Sequence, residues 1–165
     1  MTINAIVACD IENGIGKNGV LPWPFHPEDM KWFRDKTASD VVVMGRKTWE
    51  SIGSMRLQKR VNVVLTKNVS SLEGTPDLAY DVSGIETLPM LQNLEMEYPN
   101  KKIWIIGGGS IYKQMLPYCE NIYLTKFIKS YSCDTFLDPE QLKPFIRLVE
   151  SKNTDECSFS VWSRK

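Results

Sequence analysis

Three short runs, Val41-Val42-Val43-Met44, Val61-Asn62-Val63-Val64-Leu65 and Ile103-Trp104-Ile105-Ile106, restrict the architecture of this chain more than any other feature. They are β-branched and nearly continuous in hydrophobicity, as strands covered on both faces are. An earlier run, Ile3-Asn4-Ala5-Ile6-Val7-Ala8, reads the same way. Between the runs lie helical patterns at Pro27 to Lys36, Lys47 to Ile52 and Ile85 to Tyr98; in the last, Ile85, Leu88, Leu91, Leu94 and Tyr98 recur at helical spacing. Strands alternating with helices predict a largely parallel α/β sheet. The C-terminal runs, Ile122 to Thr125, Phe145 to Val149 and Ser158 to Trp162, have little helix between them, so the last strands should pair antiparallel at one edge. No repeat or charge block divides the 165 residues, and 1–165 reads as one domain.

Charge narrows the function. Twenty basic residues balance twenty acidic ones, which leaves no electrostatic footprint for nucleic acid and no polybasic patch for a membrane. No apolar run approaches the roughly 20 residues of a bilayer span. Cys9, Cys119, Cys133 and Cys157 are widely separated and there is one histidine, so no spacing suits zinc; reduced thiols in a cytoplasmic protein are expected. A small-molecule partner is the remaining class.

The segment Gly14-Ile15-Gly16-Lys17-Asn18-Gly19 has the G-x-G-x-x-G spacing and follows an apolar run. In a dinucleotide fingerprint such glycines open a helix whose N-terminus receives the pyrophosphate. Here Pro22, Pro24 and Pro27 follow, removing amide donors and disfavouring helix. The segment reads as a loop, and phosphates should bind elsewhere. After Ile106, the glycines Gly107, Gly108 and Gly109 precede Ser110, a candidate cap for a helix carrying Ile111, Met115 and Leu116. Gly45 also separates a strand from a helix start, followed by Arg46, Lys47 and Thr48, and the run ending at Leu65 leads into Thr66 and Lys67. Together these strand ends suit a ligand with separated phosphates, although Arg46 or Lys67 taken singly also reads as a solvated charge.

Pro27 opens a helix whose first turn holds Glu28 and Asp29, where acids meet the helix dipole favourably. A second reading applies to Asp29 alone. Trp32 and Phe33 lie three and four residues on, so its carboxylate shares their face and would be satisfied by a flat heterocycle with adjacent N–H and amino groups. Glu28 is rotated toward Lys31 and solvent, and His26 is a candidate cap.

These segments, with "NGIGKNGVLPWP", "EDMKWF", "VVMGRKTWESIG", "RVNVVLTK", "IWIIGGGSIY", "IYLTKF" and "CDTFLD" in order, resemble dihydrofolate reductases over essentially the whole chain. The resemblance implies an eight-stranded mixed sheet flanked by four helices, NADPH as cofactor and dihydrofolate as substrate, with a cytoplasmic monomer the expected form. It places Leu21 and Trp23 on a loop that closes over nicotinamide and pterin, with Ile15, Gly16 and Asn18 on the same loop near the cofactor. Gly107-Gly108 becomes a cis peptide. Arg46 and Lys67 match holders of the 2′-phosphate, with Gly45, Lys47, Leu65 and Thr66 beside them, and Thr48 and the amides from Gly108 to Ile111 match pyrophosphate contacts. Asp29 and Thr125 hold the pteridine, Arg60 the α-carboxylate of the glutamate tail. Ile6, Val7, Ala8, Met30, Phe33, Ile52, Leu57, Ile106 and Tyr112 complete the implied pocket.

Departures from the family pattern are specific. Leu57-Gln58-Lys59 precedes Arg60 where relatives usually carry a Pro-Gly pair, with one extra residue after Gly53. Ser110 stands where some relatives are basic, and Cys133 where some have glycine in a loop supporting the mobile one. The alternative functions are a pyrimidine reductase of the riboflavin pathway, which needs neither the acid–aromatic helix nor Arg60, and a non-catalytic binding module.

Overall fold

The computed structural model describes residues 2–82 and 86–164. The apolar runs form an eight-stranded sheet in the order β5-β4-β3-β6-β1-β7-β10-β9, where β1 is Ile3–Cys9, β3 Val41–Gly45, β4 Val61–Thr66, β5 Leu78–Asp81, β6 Ile103–Ile105, β7 Asn121–Phe127, β9 Arg147–Asn153 and β10 Cys157–Ser163. Pairing is parallel from β5 to β7, and β10 is antiparallel to both β7 and β9, as the C-terminal pattern predicts.

Helices cover both faces. Val7, Val43, Leu65 and Ile105 pack with Leu91 and Leu94 of α3 (Thr87–Glu97) and with Ile111 and Met115 of α4 (Gly109–Met115). On the other face Ile6, Val42, Met44, Val64 and Trp104 meet Trp32 and Phe33 of α1 (Pro27–Thr37) and Trp49 of α2 (Arg46–Ser51). Period-2 alternation along the central strands thus divides one sheet between two cores.

Several boundaries differ from the sequence reading. Ile85 lies outside the described residues, and α3 begins at Thr87. The expected strand from Phe145 starts at Arg147 instead, because Phe145 is a buried anchor stacked under the Arg164 guanidinium while all seven residues of β9 are exposed at the sheet edge. A fifth helix, α5 (Pro139–Leu142), is a single turn started by Asp138, whose carboxylate accepts from the Glu140 amide at 2.9 Å. The Gly14 loop opens no helix; Gly14–Gly16 instead form β2, paired with β8 (Thr135–Phe136) in a small second sheet. A three-residue strand in a glycine-rich segment has no hydrophobic period to reveal it. No helix among the described residues is long and apolar enough to cross a membrane.

Candidate active site

The site begins at the start of α1. His26 is the N-cap, its Nδ1 accepting from the Asp29 amide at 3.2 Å, and Pro27 fixes the first helical position. This cap aims Asp29 at the sheet. The carboxylate is half-buried and faces the hydroxyl of Thr125, a residue 1 % exposed on β7 directly beside Ala8 of β1. Burial pushes the Asp29 pKa above the ordinary carboxylate range, although the Thr125 hydroxyl and nearby His26 favour the charged form. Glu28 behaves differently: it is exposed and reaches Lys152 at 3.6 Å, whereas Lys31, its expected partner, pairs with Asp35 at 2.5 Å.

Aromatic and branched side chains surround the acid. Phe33, Ile52, Leu57 and Ile106 pack with Ile6 on the α1 face, so five of the expected wall residues converge. Met30 is 43 % exposed and stands outside that cluster, and Val7 turns its side chain to the opposite core. Trp32 packs against Phe159 and Tyr123, and its Nε1 is the only buried side-chain nitrogen or oxygen among the described residues with no hydrogen-bond partner. Tyr112 Oη donates to the Ile6 carbonyl at 2.7 Å; its phenol, raised far above its usual pKa by burial, stays neutral.

Arg60 comes to the C-terminal half of α1, at Phe33 and Thr37, despite the altered segment before it. Its Nε donates to the Gln58 carbonyl at 3.0 Å, a second nitrogen lies 3.5 Å from Thr37 Oγ1, and the guanidinium sits over the Phe33 ring. Partial burial, with Arg34 nearby, lowers its pKa.

On the other side of Ile106 the two glycine-bearing strand ends meet. The Gly45 amide donates to the Gly107 carbonyl at 2.8 Å, which sets the starts of α2 and α4 side by side at the edge of neighbouring strands β3 and β6. Gly107-Gly108 is cis and Gly107 has φ of 116°. Side chains are excluded from this junction: a Cβ on Gly45 would lie 2.9 Å from Ile111, and one on Gly107 3.2 Å from the Tyr112 ring. Ser110 does not cap α4. Gly108 is the N-cap, Ser110 is an exposed helical residue, and the Ile111 amide already donates to the Gly108 carbonyl at 3.0 Å. The first helical residue is Gly109, so the serine falls inside the first turn rather than ahead of it. Thr48 Oγ1 faces Gly108, 3.6 Å from where a Cβ would stand.

Lys47 and Lys67 are exposed and pair with no carboxylate among the described residues, whereas Arg46 is engaged by Glu50 one turn along α2. Thr66 Oγ1 accepts from the Asn68 amide at 3.2 Å and shapes the turn that carries Lys67. Beside it, a cleft of about 670 Å³ is lined by Leu65, Val82, Leu88, Met90, Gln114 and Tyr118. Sequence reading missed Gln114 and this cleft, because Leu88 was assigned to a buried helical stripe and is 41 % exposed.

The glycine loop lies across the remaining opening. Ile15 is buried, Gly16 pairs with Thr135, and Asn18, with φ of 52°, donates its amide to Asp134 Oδ2 at 2.9 Å. Trp23 is buried against Phe127 and Tyr131 while Leu21 is 59 % exposed. All four cysteines are free. No group of three or more His, Cys, Asp or Glu among the described residues could hold a metal ion.

The sequence matches the family model described as Dihydrofolate reductase over residues 2–164. The chain belongs to this family. It is 34% identical to the dihydrofolate reductase of Haemophilus influenzae, with all of both chains covered, and 35% identical to the viral dihydrofolate reductase of Saimiriine herpesvirus 2, covering 91% of this chain and 75% of that one. Among solved structures it resembles dihydrofolate reductase from Enterococcus faecalis complexed with NADP(H) and RAB-propyl, with a TM-score of 0.80, 26% identity, and coverage of 98% and 95% of the two chains. As a dihydrofolate reductase family member the chain is an oxidoreductase, and neither a pyrimidine reductase nor a bare binding module is needed to account for its fold.

Proposed function

We propose that this protein reduces 7,8-dihydrofolate to 5,6,7,8-tetrahydrofolate with NADPH, supplying the reduced folate used in thymidylate and purine synthesis. The observation that carries the reading is Asp29: a half-buried carboxylate, desolvated beside Trp32 and Phe33 and joined to the buried Thr125 hydroxyl. A pteridine offers N3–H and a 2-amino group on one edge, which match two carboxylate oxygens.

The residues present fit NADPH. Packing that only glycine permits at positions 45 and 107 sets the starts of α2 and α4 side by side, where their backbone amides would meet the pyrophosphate, and Thr48 beside Gly108 supplies a hydroxyl. Lys67, Thr66 and Arg46 would hold the 2′-phosphate, with Arg46 leaving Glu50 to do so. The cleft beside Leu65 and Gln114 suits the adenine, with an apolar floor and an amide for ring nitrogens. When bound, NADPH supplies the hydride, from nicotinamide C4 to pterin C6.

The chain contributes orientation and electrostatics. Asp29 holds the pteridine edge and its negative charge favours the N5-protonated substrate, the proton itself coming from water. Ile6, Phe33, Ile52 and Ile106 form apolar walls that fix the ring plane and exclude solvent. Leu21 and Trp23 close the loop side, and Arg60 clamps the tail carboxylate with a planar fork.

Purified protein mixed with NADPH and dihydrofolate tests the assignment through loss of NADPH absorbance. Turnover is expected; no turnover with dihydrofolate, or turnover only with a ribosylamino-pyrimidine, removes it.

A further inference from the structure

Asp10, just past the end of β1, is 1 % exposed although it is a carboxylate outside the site described above. Four donors converge on it. Oδ1 accepts from the amides of Glu12 at 2.9 Å and Gly14 at 2.8 Å; Oδ2 accepts from the Tyr131 amide at 2.9 Å and faces the Cys133 thiol at 3.4 Å. Its own amide donates to the Gly14 carbonyl at 2.8 Å, which closes a tight turn around the side chain. Burial opposes the charge, but the amides of Tyr131, Gly14 and Glu12 together with the thiol outweigh it and hold the carboxyl below the usual range.

These contacts bind two different segments to one pair of oxygens. Gly14 begins β2, the first stretch of the glycine loop, and a Cβ on Gly14 would strike Cys133 at 2.4 Å, so the loop is pressed directly against the 131–133 turn. Tyr131 carries the second connection, since its ring packs edge-on against Trp23 at 5.8 Å and against Phe127 at 6.1 Å. Asp10 therefore fixes the loop at its entry, through Gly14, and at its aromatic end, through Tyr131 and Trp23. Other ties join the same segments by backbone pairing, with β2 against β8 through Gly14 and Gly16, the Leu137 amide donating to the Asn13 carbonyl at 2.9 Å and the Asp134 amide to the Gly16 carbonyl at 2.9 Å, but only Asp10 joins them through a buried charge; the Asn18–Asp134 contact is exposed.

We propose that Asp10 is a positioning residue for hydride transfer, its buried carboxylate setting the closed arrangement of the Gly14–Trp23 loop through Gly14, Tyr131 and Cys133 without touching either ligand. This rests on the reading of the site as one that reduces dihydrofolate with NADPH. The effect should appear in the chemical step more than in binding, because the loop is tied down by Asp10 but the pteridine and phosphate holders lie on α1, α2, α4, β7 and the end of β4. Asp10→Asn keeps the shape and turns one acceptor into an amino group facing an amide or thiol donor, which leaves hydrogens opposed in a buried site.

The test is single-turnover hydride transfer, measured by stopped flow with NADPH and NADPH deuterated at C4, alongside equilibrium binding of both ligands. Asp10→Asn is expected to slow hydride transfer about tenfold or more, because misplacement of the covering loop disturbs the reacting geometry, while dissociation constants move by less than about threefold. The isotope effect on kcat should rise as that step becomes limiting. Cys133→Ala removes one donor only and guards against a variant that does not fold; it should slow the step about threefold, and the double variant should be no slower than Asp10→Asn, since both act through one contact. A hydride-transfer rate unchanged in both single variants, or losses that multiply in the double variant, overturns the positioning role while leaving the proposed reaction standing. A wild-type protein that turns over no dihydrofolate overturns both.

Discussion

The Thr125 hydroxyl of β7 faces the Asp29 carboxylate of α1 and favours its charged form, and burial nonetheless holds that carboxyl above its ordinary pKa. One hydroxyl does not replace the water lost on burial. A carboxyl with a raised folded-state pKa is a liability at neutral pH: its folded form binds more protons than the unfolded chain, so stability is fully present below the ordinary carboxylate range and lost as pH rises through the folded pKa. Asp29→Asn should therefore be at least as stable as the parent at neutral pH, with its advantage shrinking toward pH 3 to 4, near the unperturbed value of about 3.9. Thermal melts of both proteins across pH check this; a variant that melts lower at pH 7 and no higher at any pH contradicts it.

Arg46 and Lys67 stand at the ends of adjacent strands β3 and β4. If both meet the 2′-phosphate, Arg46→Ala should weaken NADPH by about tenfold to a hundredfold, the range of a charge-assisted hydrogen bond, and NADH by less than about twofold. Competition titrations with the two cofactors measure the ratio. Equal losses would place Arg46 outside the phosphate site.

Gly107 has φ of 116° and its absent Cβ would press on the Tyr112 ring. Alanine there is strained in both respects. Gly107→Ala should cost roughly 1–3 kcal/mol, lowering Tm by about 2–4 °C per kcal/mol, and should weaken NADPH because Tyr112 and the start of α4 shift together. Calorimetry with and without cofactor separates the two effects.

Arg60 is oriented by the Gln58 carbonyl and Thr37, with its guanidinium over Phe33. Arg60→Ala should raise KM for dihydrofolate about tenfold or more with little change in kcat, and should scarcely alter kinetics with a pterin lacking the glutamate tail. Arg60→Lys should recover only part of the loss, since an ammonium cannot form the planar fork.

Much of this was legible in the sequence because it depends on periodicity and on punctuation. The buried parallel strands follow from continuous β-branched runs, the α1 cap from His26-Pro27, and the exclusion of a dinucleotide fingerprint at Gly14 from the prolines after it. Asp29 was found through its spacing to Trp32 and Phe33, a local relation that a helix preserves. What was not legible depends on contacts between distant segments. Asp10 and Tyr131 are separated by over a hundred residues, and β2 finds β8 across a similar distance. Ser110 reads as a cap because a serine at a helix start signals one, whereas the N-cap is Gly108, two residues earlier.

The most direct test of the account is the pH dependence of turnover for the wild type and Asp29→Asn with NADPH and dihydrofolate. An electrostatic role for Asp29 in favouring the protonated pterin predicts a loss on the order of a hundredfold or more at neutral pH. It further predicts partial recovery as the medium is acidified and the substrate is protonated without help, while Glu28→Gln stays within about threefold of the parent throughout. Wild-type and Asp29→Asn profiles that run parallel and close together at every pH would contradict it.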